Sequence, residues 1–158
     1  MAPLRKISRC APNFLVCQAL AVKESMFHLI RNNELEVQLD VSGVSDPLPS
    51  VAFDIAVSWN MPYQTVDFKI KECWIECTAF DKFQDGILQL QSLETGSITL
   101  NDLSGDPIIS FTKSGSVLVT EIQSKDGLDI GSFTLKSTSQ SIELSDILTR
   151  IQQLDKWW

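Results

Sequence analysis

Apolar and polar positions alternate with a period of two along most of the chain after Met26, and twice that alternation gives way to a three- and four-residue spacing. The first pattern marks strands with one buried face, and the second marks amphipathic helices. Phe27-His28-Leu29-Ile30-Arg31 predicts a first strand, and Asn32-Asn33 a tight turn, since asparagine tolerates the positive φ such turns need. A second strand over 34–41 points Leu35, Val37, Leu39 and Val41 to the core and Glu34, Glu36, Gln38 and Asp40 to solvent. After a turn-rich stretch over 42–50, a third strand over 51–59 turns Phe53, Ile55, Val57 and Trp59 inward. A loop over 60–64, with Pro62 and Tyr63, leads to a fourth strand with Val66, Phe68 and Ile70 inside and Asp67, Lys69 and Lys71 outside.

Then the period changes. Thr78 and Asp81 resemble a capping box with Asp in place of Glu, and Phe80, Phe83, Ile87 and Leu90 recur at helical spacing. A helix of about 15 residues is predicted to end near Leu93, with Gly96 as its stop signal. Gly86 inside it costs about 1 kcal/mol relative to alanine, which fits either close packing against a strand or a weak point. Strands follow over 97–100, 108–112, 117–123 and 128–135, separated by turns over 101–107, 113–115 and 125–127. Leu144, Ile147, Leu148, Ile151, Leu154 and Trp158 form the stripe of a C-terminal helix, with Ser141 and Ser145 as candidate caps. Each half is thus strands followed by a helix, without a residue-level repeat. The whole predicts an α+β fold of antiparallel meander sheets with two amphipathic helices, one central and one C-terminal.

A length of 158 residues is one ordinary domain, and 44% hydrophobic residues suffice for a core. The formal charge of −7 divides unevenly: 1–23 carry Arg5, Lys6, Arg9 and Lys23 and no acid, +4, whereas 24–158 carry 9 basic and 20 acidic residues, −11. Three readings fit residues 1–25 as a basic leader outside the domain at 26–158: a secretory signal cleaved near Ala19-Leu20-Ala21, an organelle presequence, or translation that begins at Met26. A genuine part of the fold is the fourth. No apolar run approaches the length of about 18 residues that a membrane span needs. The acidity of the domain disfavours nucleic acid, whose phosphates demand clustered Lys and Arg.

Cys73 and Cys77 are separated by three residues, off the C-x-x-C spacing of zinc and redox sites, and read as buried reduced thiols, while Cys10 and Cys17 fall within 1–25. Nucleophilic triads need an imidazole, and His28 is the sole histidine, placed on a strand face opposite the core or at an edge. Asp81 with Asp85, and Asp126 with Asp129 beside Gly127, lack the alternating ligands of a calcium loop. The stretch over 127–131 lacks the Gly-Lys-Ser/Thr ending of a phosphate loop. No cofactor is expected, and the expectation is a protein that binds and does not catalyse. A small-ligand protein or enzyme with a pocket between sheet and helix is the alternative.

Trp74-Ile75-Glu76-Cys77 leading into Phe80-Asp81-Lys82-Phe83, then Gly96-Ser97-Ile98-Thr99-Leu100-Asn101-Asp102-Leu103, a strand meander and a final amphipathic helix, resembles small bacterial immunity proteins of contact-dependent and polymorphic toxin systems, relatives of the immunity partner of the wall-associated toxin among them. The resemblance covers 26–158 in the order of elements and carries no binding residue across. It implies a stoichiometric, cytoplasmic inhibitor of a toxin; residues 1–25 as a targeting segment would place the chain elsewhere. For the interface itself, Glu34, Glu36 and Asp40 on one strand face, with Asp54 beside them, form a candidate patch that would steer a basic, toxin-like protein. Tyr63 in the proline loop and Trp157, which is either exposed or a cap on the core, are candidate aromatic anchors.

Overall fold

A computed structural model describes residues 26–158 except 127 and 129. Its elements run β1 (Phe27–Arg31), β2 (Leu35–Ser45), β3 (Ser50–Met61), β4 (Gln64–Glu76), α1 (Cys77–Ser92), β5 (Thr95–Asn101), β6 (Pro107–Ser114), β7 (Val117–Lys125), β8 (Ser132–Gln140) and α2 (Glu143–Gln152). The strands form two four-stranded antiparallel meanders, β1-β2-β3-β4 and β5-β6-β7-β8. The fold is α+β, with the strands-then-helix plan repeated.

The alternation along β2 and β3 fixes which face is buried. Leu35, Val37, Leu39, Phe53, Ile55 and Val57 are all within the core, and their odd-numbered period continues across the pairing Val37↔Val57 and Leu39↔Ile55. In β4 the period slips. Phe53 pairs with Cys73 but Ile55 with Ile70, so Lys71 and Glu72 stand opposite Asp54 as a β-bulge. Glu72 takes φ 50°, a left-handed conformation, and its N–H bonds Asp54 Oδ1 at 3.0 Å. The extra residue moves the inward set from Val66, Phe68 and Ile70 to Cys73 and Ile75. The strand therefore runs on through Trp74-Ile75-Glu76, a stretch whose changed phase reads in sequence as the approach to a helix.

In α1, Phe80, Phe83, Ile87 and Leu90 are buried at the expected spacing. They join the two sheets: Phe80 stacks on Phe53 of β3 at 5.5 Å, and Phe83 on Phe111 of β6 at 5.8 Å. Gly86 is a site of close packing, because an alanine Cβ there would lie 2.6 Å from Ile98 Cγ1 of β5. The expected capping box does not form; Glu76 is the N-cap, and Thr78 Oγ1 donates instead to Glu76 Oε1 at 2.6 Å. Gly96 is not a stop but a β5 residue, and the helix ends where Leu93 turns extended. Lys113, at an inner position of β6, lays its stem toward that end and donates from Nζ to the Gln91 carbonyl at 2.9 Å.

Other boundaries shift for equally local reasons. Strands β2 and β3 pair out to Ser45↔Ser50, which shortens the turn expected over 42–50 to 46–49, and Met61↔Gln64 closes the loop at Pro62 and Tyr63. β8 begins at Ser132 and reaches Gln140, where 128–135 was expected, because its partner β7 ends at Lys125↔Ser132. Leu128 and Ile130 alternate like a strand but stand exposed at the hairpin tip. In α2, Leu144, Ile147, Leu148 and Ile151 are buried, Ile142 is the N-cap, and neither serine caps. Leu154 and Trp158 lie past the helix yet pack on the core, Trp158 edge-on to Phe53 at 5.7 Å and to Phe80 at 6.2 Å. One continuous cluster of buried side chains spans both sheets and both helices.

Candidate partner-binding face

Residues on the outer face of the first sheet line up across the strands by register. One row holds Arg31, Glu36, Ser58 and Asp67; the next holds His28, Gln38, Ala56 and Lys69; a third sets Asp40 directly opposite Asp54. Beyond the bulge Trp74 pairs with Ala52 and covers Gly43, where a Cβ would meet Trp74 at 3.3 Å. That indole closes the far end of the face.

The carboxylates do not stand as an unbroken acidic patch. Glu36 Oε1 lies 2.9 Å from His28 Nδ1 and 3.8 Å from Arg31 Nε. The His28 contact is close without the alignment of a hydrogen bond, and Nδ1 is buried with no other partner. Asp54 Oδ2 pairs with Lys69 Nζ at 3.0 Å, and Asp67 Oδ1 accepts the Ser58 hydroxyl at 2.8 Å. The Glu72 N–H, and after it Lys69, hold the Asp54 carboxyl below its usual range. Asp40 is exposed, and among the described residues no cation forms an ion pair with it. The face is thus acidic at its centre and basic along β1 and β4. Between β2 and β4 it dips: Glu36, Gln38, Asp67 and Lys69 wall a shallow hollow of about 310 Å³ over the small side chains of Ala56 and Ser58.

Not all the residues singled out from sequence converge there. Glu36, Asp40 and Asp54 share the face. Glu34 lies in the turn before β2, its N–H held by Asn32 Oδ1 at 2.9 Å, and its carbonyl accepts the Asn60 N–H at 2.7 Å. That bond sets Glu34 at the same end of the sheet as Tyr63, which is 97% exposed at the β3–β4 turn. Trp157 is exposed and touches Trp158, whose ring packs against the inner side of the sheet at Phe53; it does not join the acidic residues. The partners missing from the expected patch, Asp67 and Lys69, were visible in the alternation of β4 as outward residues, but their registration beside Ser58 and Ala56 depends on pairing.

The other features are placed as follows. Cys73 and Cys77 are free thiols; burial pushes Cys73 up to about 12 and raises Cys77 as well, so neither is an activated nucleophile. Asp81 pairs with Lys156 at 2.6 Å rather than with Asp85. Gly127, Asp129, Cys10 and Cys17 lie outside the described residues. Among the described residues no three His, Cys, Asp or Glu side chains gather to hold a metal, and no helix is long and apolar enough to cross a membrane. Between β1 and α2 there is a hollow of about 110 Å³. A larger one, about 470 Å³, lies where Asn32 and Glu34 meet Ser116, Thr138, Gln140 and Glu143. Comparison with protein-family models, with curated proteins and with solved structures finds no match to this chain.

Proposed function

We propose that this chain is a non-catalytic protein-binding module, a cytoplasmic immunity-type inhibitor that receives a basic, toxin-like partner on the outer face of its first sheet. The observation that carries the reading is Asp40 set directly opposite Asp54 on a face the helices leave open. Like charges at opposed positions of an antiparallel pair cost stability, and Lys69 offsets only one of the two. A cation delivered by a partner would relieve the other. Glu36 and Asp67 on either side of the Ser58 hollow give such a cation further acceptors.

The alternative of a small-ligand pocket between sheet and helix has less support. The hollow of about 110 Å³ between β1 and α2 is small beside the roughly 300–1,000 Å³ of ligand sites. The hollow of about 470 Å³ where β8 meets Glu143 of α2 has the size but not the apolar lining of such sites, Val117 being its one apolar residue. The test is co-purification with the product of the adjacent gene, followed by reversal of Glu34, Glu36 and Asp40 to lysine. The expected result is an association rate about tenfold or more lower at low salt, with cooperative melting of a folded domain retained. Unchanged affinity removes this surface from the reading.

A further inference from the structure

Strand β4 lies at the edge of the first sheet and is longer than β1, β5 or β8, the other edge strands. The edge at β1 is short and has α2 beside it, where Asn32 donates to Glu143 at 3.1 Å. Along 64–70, no described residue forms a backbone hydrogen bond with β4 from the side away from β3. The flank carries apolar side chains as well. Phe68 stacks on Phe133 of β8 at 4.2 Å, and Phe68, Ile70, Ile130 and Phe133, with charged residues among them, line a groove of about 610 Å³ along this edge. Ile130 is 79% exposed. Unpaired donors and acceptors beside apolar side chains form a template for another strand.

The residues of that edge select which strand. Val66-Asp67-Phe68-Lys69-Ile70 is self-complementary when run against itself antiparallel about a two-fold axis through Phe68. Asp67 of each copy then faces Lys69 of the other, Val66 faces Ile70, and Phe68 faces Phe68. Moving the axis by one residue sets Asp67 against Asp67 or Lys69 against Lys69, which cross-strand electrostatics oppose. The bulge at Lys71 and Glu72 ends the ladder on one side, and the Pro62-Tyr63 turn ends it on the other.

We propose that a second copy of this chain docks on β4, two first sheets joining edge to edge about Phe68 into one continuous antiparallel sheet. The interface is isologous, and the outer faces of both copies stay open beside each other. It does not depend on the reading above: Asp67 and Lys69 also border the outer face, but sedimentation of this chain alone reads the dimer without any basic partner.

Sedimentation of the full chain across a concentration series tests it, with Asp67→Lys and Lys69→Asp as variants. The wild type is expected to dimerise, and each variant alone to do so about tenfold more weakly, because both Asp67–Lys69 contacts become like-charged. Mixing the two variants restores complementary pairs at both contacts, so the mixture is expected to regain dimer, although Lys69→Asp has lost its pair with Asp54. Hydrogen exchange at 66–70 slows in the dimer alone. A wild type that stays monomeric, a dimer indifferent to both variants, no recovery on mixing, or protection of β4 that requires a different protein overturns the proposal.

Discussion

The outer face of the first sheet sets Glu36, Asp40, Asp54 and Asp67 among His28, Arg31, Lys69 and Lys71, while the second sheet carries Ser97, Thr99, Ser110, Thr112 and Thr138, with Glu121 and Lys136 paired to each other. The two sheets have the same strand order and pairing. Threonine suits an exposed strand face; aspartate is among the residues strands avoid. The second sheet therefore shows that this architecture forms with one opposed charge pair, Glu121 and Lys136, at mid-strand and no aspartate in β5–β8. Three aspartates on the first sheet stand against local preference. Asp54 and Asp67 are held by partners within the sheet, and Asp40 is the one without such a partner among the described residues that the proposed recognition accounts for.

The inner faces reverse this contrast, for there the two sheets act as one body. Phe53 and Phe111 are both fully buried, and both stack on rings of α1. Phe53→Ala and Phe111→Ala are each expected to cost about 3–5 kcal/mol. Because α1 links them, calorimetry should show a single transition that either substitution lowers. Two transitions, each moved by only one of the substitutions, would separate the sheets and break the shared core.

Asp54 tests whether the charged face also supports the strands beneath it. Its carboxylate holds the Glu72 N–H across the bulge as well as Lys69, so Asp54→Ala is expected to cost about 1–2 kcal/mol at neutral pH. The pH dependence has a definite sign. The folded-state pKa is depressed, so the stabilisation is complete above the unfolded value of about 4 and is lost as pH falls through the lower folded value. Denaturation curves of wild type and variant should converge as pH drops below about 4. A constant gap down to the lowest pH would assign the cost to packing instead.

How much of this was legible in the sequence depends on whether the information is local. The inner faces of β2 and β3 and the stripe of α1 were, because burial imposes a period that residue type alone reports. The bulge was not: Lys71 and Glu72 look like two ordinary exposed residues, and only the pairing with β3 shows that one of them is extra. The extent of β8 was hidden because its inward positions include Ser137 and Ser139, while Leu128 and Ile130 imitate a strand with no neighbour to pair with. The same holds for the candidate face. Glu36, Asp40 and Asp54 could be placed on it by alternation, whereas the contacts of Glu36 with His28 and Arg31, and of Asp54 with Lys69, follow from strand register, which alternation does not report.

Gly86 probes the helix between the two sheets. Alanine there should favour the helix by about 1 kcal/mol, yet its Cβ would press on Ile98 of β5, and such overpacking typically costs about 1–3 kcal/mol. The expected balance for Gly86→Ala is a loss of about 1 kcal/mol, recovered in part when Ile98→Val vacates space. A stabilised single variant would mean that α1 leans on the second sheet less tightly than its contacts with Ile98 imply.

The smallest effect is expected on the second sheet's outer face, and it bears most directly on the contrast between the sheets. Lys136 Nζ and Glu121 Oε1 lie 2.7 Å apart on directly opposed residues, and Lys136 lowers the Glu121 carboxyl below its usual range. Geometry alone would rank this pair with Lys69 and Asp54. The difference is that the Glu121 hydrogen bonds run only to side chains, those of Lys136 and Gln123, whereas Asp54 also holds a backbone amide. An exposed pair of that kind contributes about 0.5 kcal/mol or less and is screened by salt. Glu121→Gln and Lys136→Gln should each fall within that range in urea titrations and become indistinguishable from wild type at high salt. If Glu121→Gln instead costs as much as Asp54→Ala, with the same convergence at low pH, surface carboxylates support both sheets alike, and the aspartates of the first sheet lose their claim to a separate role.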